Sequence, residues 1–333
     1  MAAEIRKPAY LPWQAEVLQQ ALSLKEQQRL PHAVLIETGS DRDMSEFAWH
    51  LSMLLLCDSP KGTDVCGDCD ACRMMLANIY ADFKFVSLEH NEKTKKLNKN
   101  INIEQVRNLI HEVHLTRRHS RLKIIVIYPA EKMNISSANS LLKTLEEPGE
   151  QVLLLLLTHN KGRIPITIRS RCQSWVIKQA STEQAMDWLT QQGLAGDDAE
   201  RYLAFANGDP VLALDLLGQD YASMVEQFKT RFTQYLRGET SVTALCSSLV
   251  SYELTSIRRL INMTLSAYCY RMSGIDSKGK VLANANPGAA QAVLGLQLQA
   301  QQQLLIEENN LDLQLQLEDV LISLKEIITR RSE

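Results

Sequence analysis

The chain has 333 residues, 45% of them hydrophobic and 23% charged, which suits two or three ordinary globular domains and excludes a disordered or fibrous protein. Its formal net charge of -3 lacks the basic excess of a protein that grips nucleic acid unaided, so any DNA contact is expected to be local or shared with partners. The longest apolar run, Val152 to Leu157, is strand-sized, and Met1 to Tyr10 mixes Glu4, Arg6 and Lys7 with no apolar core behind them; neither a membrane span nor a signal peptide is expected, and the expectation is a cytoplasmic protein.

In chain order, His32 to Glu37 is a short apolar run, and Met44 to Cys57 follows with helical spacing at Phe47, Leu51, Leu54 and Leu55. Phe83 to Leu88 is strand-like, Ile103 to His111 helical, and Lys123 to Tyr128 a buried strand. Ser136 to Glu147 reads as a helix closed by Pro148, which cannot continue it and disfavours a helical residue before it. Val152 to Thr158 and Ser174 to Lys178 are further buried strands. Strands alternating with helices predict an α/β domain, residues 1–178, built on a parallel sheet covered on both faces.

Beyond Ser181 the strand patterns stop. Thr182 to Gln192 is helical behind an N-cap at Ser181 or Thr182, and Ala199 to Ala206 and Val211 to Leu217 are helical pieces around the turn Asn207-Gly208-Asp209-Pro210. These form a small helical domain, 179–220. From Tyr221 the pattern is helical to the end, with a break at Ser273 to Pro287, giving an all-α domain at 221–333. Leu311 to Leu317 alternates in period two, but its continuation through Val320, Leu321, Leu324, Ile327 and Ile328 is helical, so the whole segment is read as helix.

Four of the seven cysteines crowd into residues 57–72 as Cys57, Cys66, Cys69 and Cys72, a C-x8-C-x2-C-x2-C arrangement. Two residues between cysteines let a turn aim both thiolates at one tetrahedral ion. Free thiols in a loop are the alternative, but such spacing seldom arises without a metal. Four thiolates and no histidine imply a closed structural zinc (Zn2+) site rather than a catalytic one.

The loop after the first strand, Thr38-Gly39-Ser40-Asp41-Arg42-Asp43-Met44-Ser45, lies where a phosphate-binding loop would lie. Against G-x-x-x-x-G-K-[ST], Thr38 and Asp43 replace the glycines, Met44 replaces the lysine, and only Ser45 fits. Bare backbone N–H groups and a lysine do the work in such a cradle; two aspartates repel a triphosphate. A magnesium-holding acid should close the strand 123–127, yet Tyr128 and Pro129 stand there. Two independent losses mark a dead nucleotide site.

His32-Ala33-Val34-Leu35, the stretch Ala138-Asn139-Ser140-Leu141-Leu142-Lys143-Thr144-Leu145-Glu146-Glu147-Pro148, and Ser170-Arg171-Cys172 together give the chain a resemblance to clamp-loader ATPases of the AAA+ class. The match spans nearly the whole chain, and ANSLLKTLEEP is highly specific. The family's gamma/tau motor subunits carry the zinc cluster with an intact phosphate loop, and its delta subunit lacks both the cluster and Ser-Arg-Cys. Cluster, Ser-Arg-Cys and broken loop together therefore point to the family's non-hydrolysing branch.

The resemblance implies an AAA+ domain bearing the zinc module, a helical lid and a C-terminal collar, the last marked by Asn309-Asn310 ahead of Leu317-Glu318. It implies a hetero-oligomeric ring with gamma/tau and delta, acting on the sliding clamp and primed DNA through the assembly. Polymerase chemistry would belong to another chain, so any nucleotidyltransferase label would be inherited. Arg171 would be an arginine finger reaching a neighbour's ATP, with Ser170 and Cys172 setting its position. From sequence alone Arg169 competes for that role, and a plain pairing of Arg171 with a carboxylate is the bland reading. The family's second arginine sensor is absent; Val211 falls near its place.

Weaker signals are packing or solvated surface. Lys93, Lys95, Lys96 and Lys99 form one basic group and Arg117, Arg118, Arg121 and Lys123 another, more often a solvated face than a phosphate contact. His32 is expected to pack at the strand start, and Tyr10, Pro12 and Trp13 to pin the N-terminal segment. Two other functions remain as alternatives: an active gamma/tau-type ATPase, and a stand-alone zinc-dependent nucleic-acid-binding protein.

Overall fold

The structure, a computed structural model, describes residues 10–38, 44–90, 97–114, 122–149, 151–249, 252–274, 286–305 and 313–329. The chain divides into two compact units, Met1–Gln191 and Gln192–Glu333. That boundary falls inside the stretch assigned above to the small helical domain.

Five parallel strands organise the first unit: β1 (Ala33–Thr38), β2 (Phe83–Val86), β3 (Lys123–Ile127), β4 (Val152–Thr158) and β5 (Gln173–Ile177), in the order β2-β3-β4-β1-β5. Side chains alternate across a strand, and the core divides accordingly. Val34, Ile36, Leu153, Leu155 and Leu157 face one apolar cluster, which also holds Val17, Leu18 and Ala21 of helix α1 (Ala15–Glu26) and Phe47, Leu51 and Leu54 of α2 (Ser45–Leu56). Ala33, Leu35, Leu154 and Leu156 face the other, with Val106 and Leu109 of α4 (Ile103–His114) and Leu141 and Leu145 of α5 (Ile135–Glu146). Between α2 and β2 stands α3 (Asp70–Leu76). All seven residues of β4 are buried, which is why it is continuously apolar. Each buried leucine there contributes about 2 kcal/mol.

Strand β5 corrects the expectation of a buried strand at 174–178. It is the sheet's edge, with Trp175 and Ile177 buried and Gln173, Ser174 and Val176 exposed. An edge strand packs on one face only, so its apolar residues alternate. Helices α1 and α3, and the single turn α6 (Ile166–Arg169) ahead of β5, were not anticipated. Helix α7 (Thr182–Gln191) starts one turn after β5, and Trp188 on it meets Trp13 edge-on at 5.9 Å. Tyr10 stacks at a tilt on His50 at 4.8 Å and its hydroxyl bonds Thr63 at 2.6 Å, so the N-terminal segment is pinned as expected.

The described residues of the second unit are helical: α8 (Gly196–Phe205), α9 (Pro210–Gly218), α10 (Tyr221–Leu236), α11 (Val242–Ser247), α12 (Leu254–Met272), α13 (Pro287–Leu305) and α14 (Leu313–Thr329). The turn before α9 behaves as its sequence demands. Asn207 and Gly208 take φ of 53° and 86°, and the Asp209 carboxylate caps Val211 and Leu212 ahead of Pro210. Helix α14 buries Leu317, Val320, Leu321 and Leu324 at helical spacing, so the period-two appearance from Leu313 was surface alternation. Leu311 and Asn309-Asn310 lie outside the described residues. Among the described residues, no helix is long and apolar enough to cross a membrane.

Candidate functional site

Helix α2 ends at Leu56, and the next residue, Cys57, turns out of the helix with ψ of 135°. The chain then loops back through Cys66-Gly67-Asp68-Cys69, where Gly67 takes a φ of 82° that a side chain would strain. Cys69 is the N-cap of α3 and Cys72 lies in its first turn. The four Sγ atoms all lie within 4.8 Å of one another, with Cys66 and Cys72 at 3.8 Å. A tetrahedral ion with bonds of ~2.3 Å sets its sulfurs about 3.8 Å apart. Backbone N–H groups of Cys66, Cys69 and Cys72 point at Cys57, Cys66 and Cys69 Sγ at 3.5, 3.4 and 3.4 Å.

Electrostatics divides the four. The N–H groups of Cys69 and Asp68 lower the Cys66 thiol to about 6. Burial pushes Cys57 and Cys72 up, so without a cation both stay protonated at neutral pH. A positive ion at the centre would hold all four as thiolates and offset that desolvation. The donor set is all sulfur, and among the described residues no histidine or carboxylate joins the four. The cluster predicted from spacing is thus assembled, and its geometry fits a tetrahedral metal ion.

The second predicted region lies at the carboxyl ends of β1, β3 and β4, where open α/β sheets bind ligands. Thr38 closes β1 and is buried. Met44 precedes α2, is 2% exposed, and belongs to the core cluster beneath that helix. Its Sδ is 4.0 Å from Gln14 Nε2. Ser45 is the first residue of α2. Asp43 and the rest of the loop, residues 39–43, lie outside the described residues.

Tyr128, where a metal-holding acid would stand, is buried, and its hydroxyl meets His159 Nε2 at 2.8 Å. The Tyr128-Pro129 peptide is cis. The His159 backbone N–H donates to Glu131 Oε1 at 3.3 Å. Met44, Tyr128 and Pro129, read from the sequence as positions of a degenerate nucleotide site, present a thioether, a phenol and a pyrrolidine ring, none of them a cation or a metal-binding carboxylate.

The third region is the turn from α6 into β5. The Arg171 guanidinium folds back onto its own domain: Nε and Nη2 both donate to Glu146 Oε1, at 2.9 and 2.5 Å. Nη1 donates to Thr167 O at 2.9 Å and to Ser170 Oγ at 3.3 Å. The carboxylate pairing weighed for Arg171 is therefore present in the chain by itself. Cys172 packs under the sheet against the α4–α5 core, and burial raises its thiol to about 11, so it stays neutral and acts by packing. Arg169 has a buried Nε with no hydrogen-bond partner among the described residues. Sequence reading missed Glu146, although it stands in the quoted ANSLLKTLEEP stretch. An acid at the last helical residue before Pro148 was the available signal.

The remaining candidates resolve as packing. His32 Nε2 bonds the Leu145 carbonyl at 3.0 Å, tying β1 to the end of α5. Val211 is buried in α9. Lys123, proposed as part of a surface basic group, is 3% exposed at the start of β3. It stands in a central strand between half-buried Leu122 and buried Ile124 and is removed from that group. Arg117, Arg118 and Arg121, and Lys93, Lys95 and Lys96, lie outside the described residues, while Lys99 is exposed.

Comparison with known proteins fits this layout. A family profile described as "DNA polymerase III, delta subunit" matches residues 13–181. The DNA polymerase III subunit delta' of Pseudomonas aeruginosa is 29% identical over 324 residues, covering 93% of this chain and 96% of that protein. The subunit of the same name from Haemophilus influenzae is 27% identical, covering 71% of this chain and 70% of that protein. Among solved structures, a DNA polymerase III gamma subunit-related protein from Thermotoga maritima has a TM-score of 0.53 at 18% identity, covering 92% of this chain and 99% of that one, so the two share a fold. With the profile matching half the chain and the parallel sheet and cysteine cluster in place, the chain belongs to the DNA polymerase III delta-prime family.

Proposed function

We propose that the chain is a non-hydrolysing subunit of the bacterial DNA polymerase III clamp loader. In this reading it joins gamma/tau and delta in a hetero-oligomeric ring, helps place the sliding clamp on primed DNA, and donates Arg171 to the ATP held by the adjacent motor subunit. The observation that carries the non-hydrolysing part is Met44. Where a phosphate-binding lysine belongs, a thioether is buried in the core. Tyr128 and Pro129 supply no carboxylate for magnesium. The finger is supported by Arg171 in Ser170-Arg171-Cys172, a guanidinium at the domain surface with Cys172 anchoring the chain beneath it.

The metal in this reading is zinc and its role structural, because four thiolates leave no open position for substrate or water. In this reading residues 179–220, with helices α7 to α9, are the lid, and 221–333 the collar and oligomerisation domain.

The test is reconstitution of the loader with its motor and delta partners, clamp and primed DNA. Arg171→Ala is expected to assemble normally and to lower ATP turnover by roughly a thousandfold at the site it serves. Normal turnover by that complex sinks the finger. Steady ATP hydrolysis by the isolated chain favours a gamma/tau-type motor instead, and tight, salt-sensitive DNA binding by the isolated chain favours a stand-alone nucleic-acid-binding protein.

A further inference from the structure

Arginine has five N–H donors, and within this chain Arg171 already commits four bonds: two to Glu146, one to Thr167 and one to Ser170. The edge formed by Nε and Nη2 is the one that matches a carboxylate or a phosphate with two parallel bonds. Glu146 occupies that edge, so a phosphate and Glu146 cannot hold it together. Both N–H groups also converge on one oxygen, Oε1, rather than spreading over two. The pair is open to water, with side-chain exposures of 35% and 51%, where ion pairs hold weakly.

We propose that Glu146 is a positioning residue that parks Arg171. It keeps the guanidinium against the end of α5 until a more highly charged anion, the terminal phosphate of a nucleotide on an adjacent subunit, takes the same edge. This rests on the finger reading above. The geometry suits a transfer that needs side-chain rotation alone. Glu146 is fixed because α5 is capped at its start by Asn134 and tied near its end by His32. The Arg171 main chain is likewise fixed, its N–H donating to Ile168 O at 3.0 Å. A terminal phosphate carries close to two negative charges against one on Glu146, so exchange runs toward the nucleotide when one is presented. Without it, the parked state lowers the fraction of fingers competent to act and weakens apparent nucleotide engagement by that fraction.

The experiment measures ATP turnover of the reconstituted loader, from below to above KM, with Glu146→Gln, Glu146→Asp, Arg171→Ala and the Glu146→Gln/Arg171→Ala double variant. Glu146→Gln keeps shape and removes charge, so it is expected to raise kcat/KM about two- to fivefold with little change in kcat. Glu146→Asp stays near the parent, and the gain from Glu146→Gln shrinks at high salt. In the Arg171→Ala background Glu146→Gln has no effect. If Arg171→Ala abolishes turnover while Glu146→Gln leaves it unchanged or lowers it, parking is wrong and the finger stands. If Arg171→Ala changes nothing, both fall.

Discussion

Helix α2 begins at Ser45, where a nucleotide-binding chain would grip phosphate, and its last residue, Leu56, leads into Cys57, the first of four converging thiols. Its two ends have gone opposite ways. At the start, Met44 is buried in the core, and Tyr128 and Pro129 follow the end of β3. At the far end four thiols converge, and burial pushes two of them, Cys57 and Cys72, up. One end is packed into the core, while the other gathers four thiols in a geometry that fits an ion. The helix between them is nearly all buried, from Phe47 to Leu56, and cannot be shifted to suit either end.

The largest effect expected from breaking this contrast comes from stripping the metal. Buried thiols that lose their ion leave the loop between α2 and α3 held by its hydrogen bonds and the packing of Val65. The cost is expected to be on the order of 5 kcal/mol, because metal-binding free energy in structural sites is folding free energy. For a domain of this size that corresponds to a melting point lower by about 10 °C or more. Calorimetry before and after chelation, with metal content measured in both samples, checks it. An unchanged melting point in metal-free protein would mean that the cluster does not hold the fold.

How far these two ends could be read beforehand differs for physical reasons. The cysteine cluster was legible because ligand spacing is local: C-x2-C forms a knuckle whatever surrounds it. The sheet was legible because β1, β3 and β4 are buried on both faces and so are continuously apolar. Strand β5 misled because Val176 sits on the edge strand's exposed face, a tertiary fact that five residues cannot report. Helix α1 went unread, although Val17, Leu18 and Ala21 lie on one face of it. Glu146 was invisible as a partner because its meeting with Arg171, 25 residues on, depends on how α5 and α6 pack.

A middle-sized effect is expected from putting the missing cation back. Met44→Lys would bury an ammonium in the cluster under α2, a loss of about 3 kcal/mol, whereas Met44→Leu keeps the volume and costs under about 1.5 kcal/mol. Urea unfolding midpoints separate the two. ATP turnover should not appear in Met44→Lys, since the strand-end acid is still missing. A lysine variant as stable as the parent that binds magnesium nucleotide would show that the start of α2 has kept the shape of a phosphate cradle.

The smallest effect concerns Tyr128, and its direction separates a rewired site from a vestigial one. The hydroxyl bonds His159 Nε2 at 2.8 Å, linking the ends of β3 and β4, and the His159 backbone N–H donates to Glu131. Neighbouring strand ends that would face a magnesium nucleotide are thus joined to each other. Tyr128→Phe removes one hydrogen bond between part-buried groups, and the expected loss is about 1 kcal/mol, seen as a lower unfolding midpoint. A hydroxyl left over from nucleotide binding has no such structural duty. Its removal would leave stability untouched and change nucleotide affinity, if any affinity exists. Titrating nucleotide alongside the unfolding curve reads both, and the strand ends have been rebuilt as structure only if stability moves and nucleotide affinity does not.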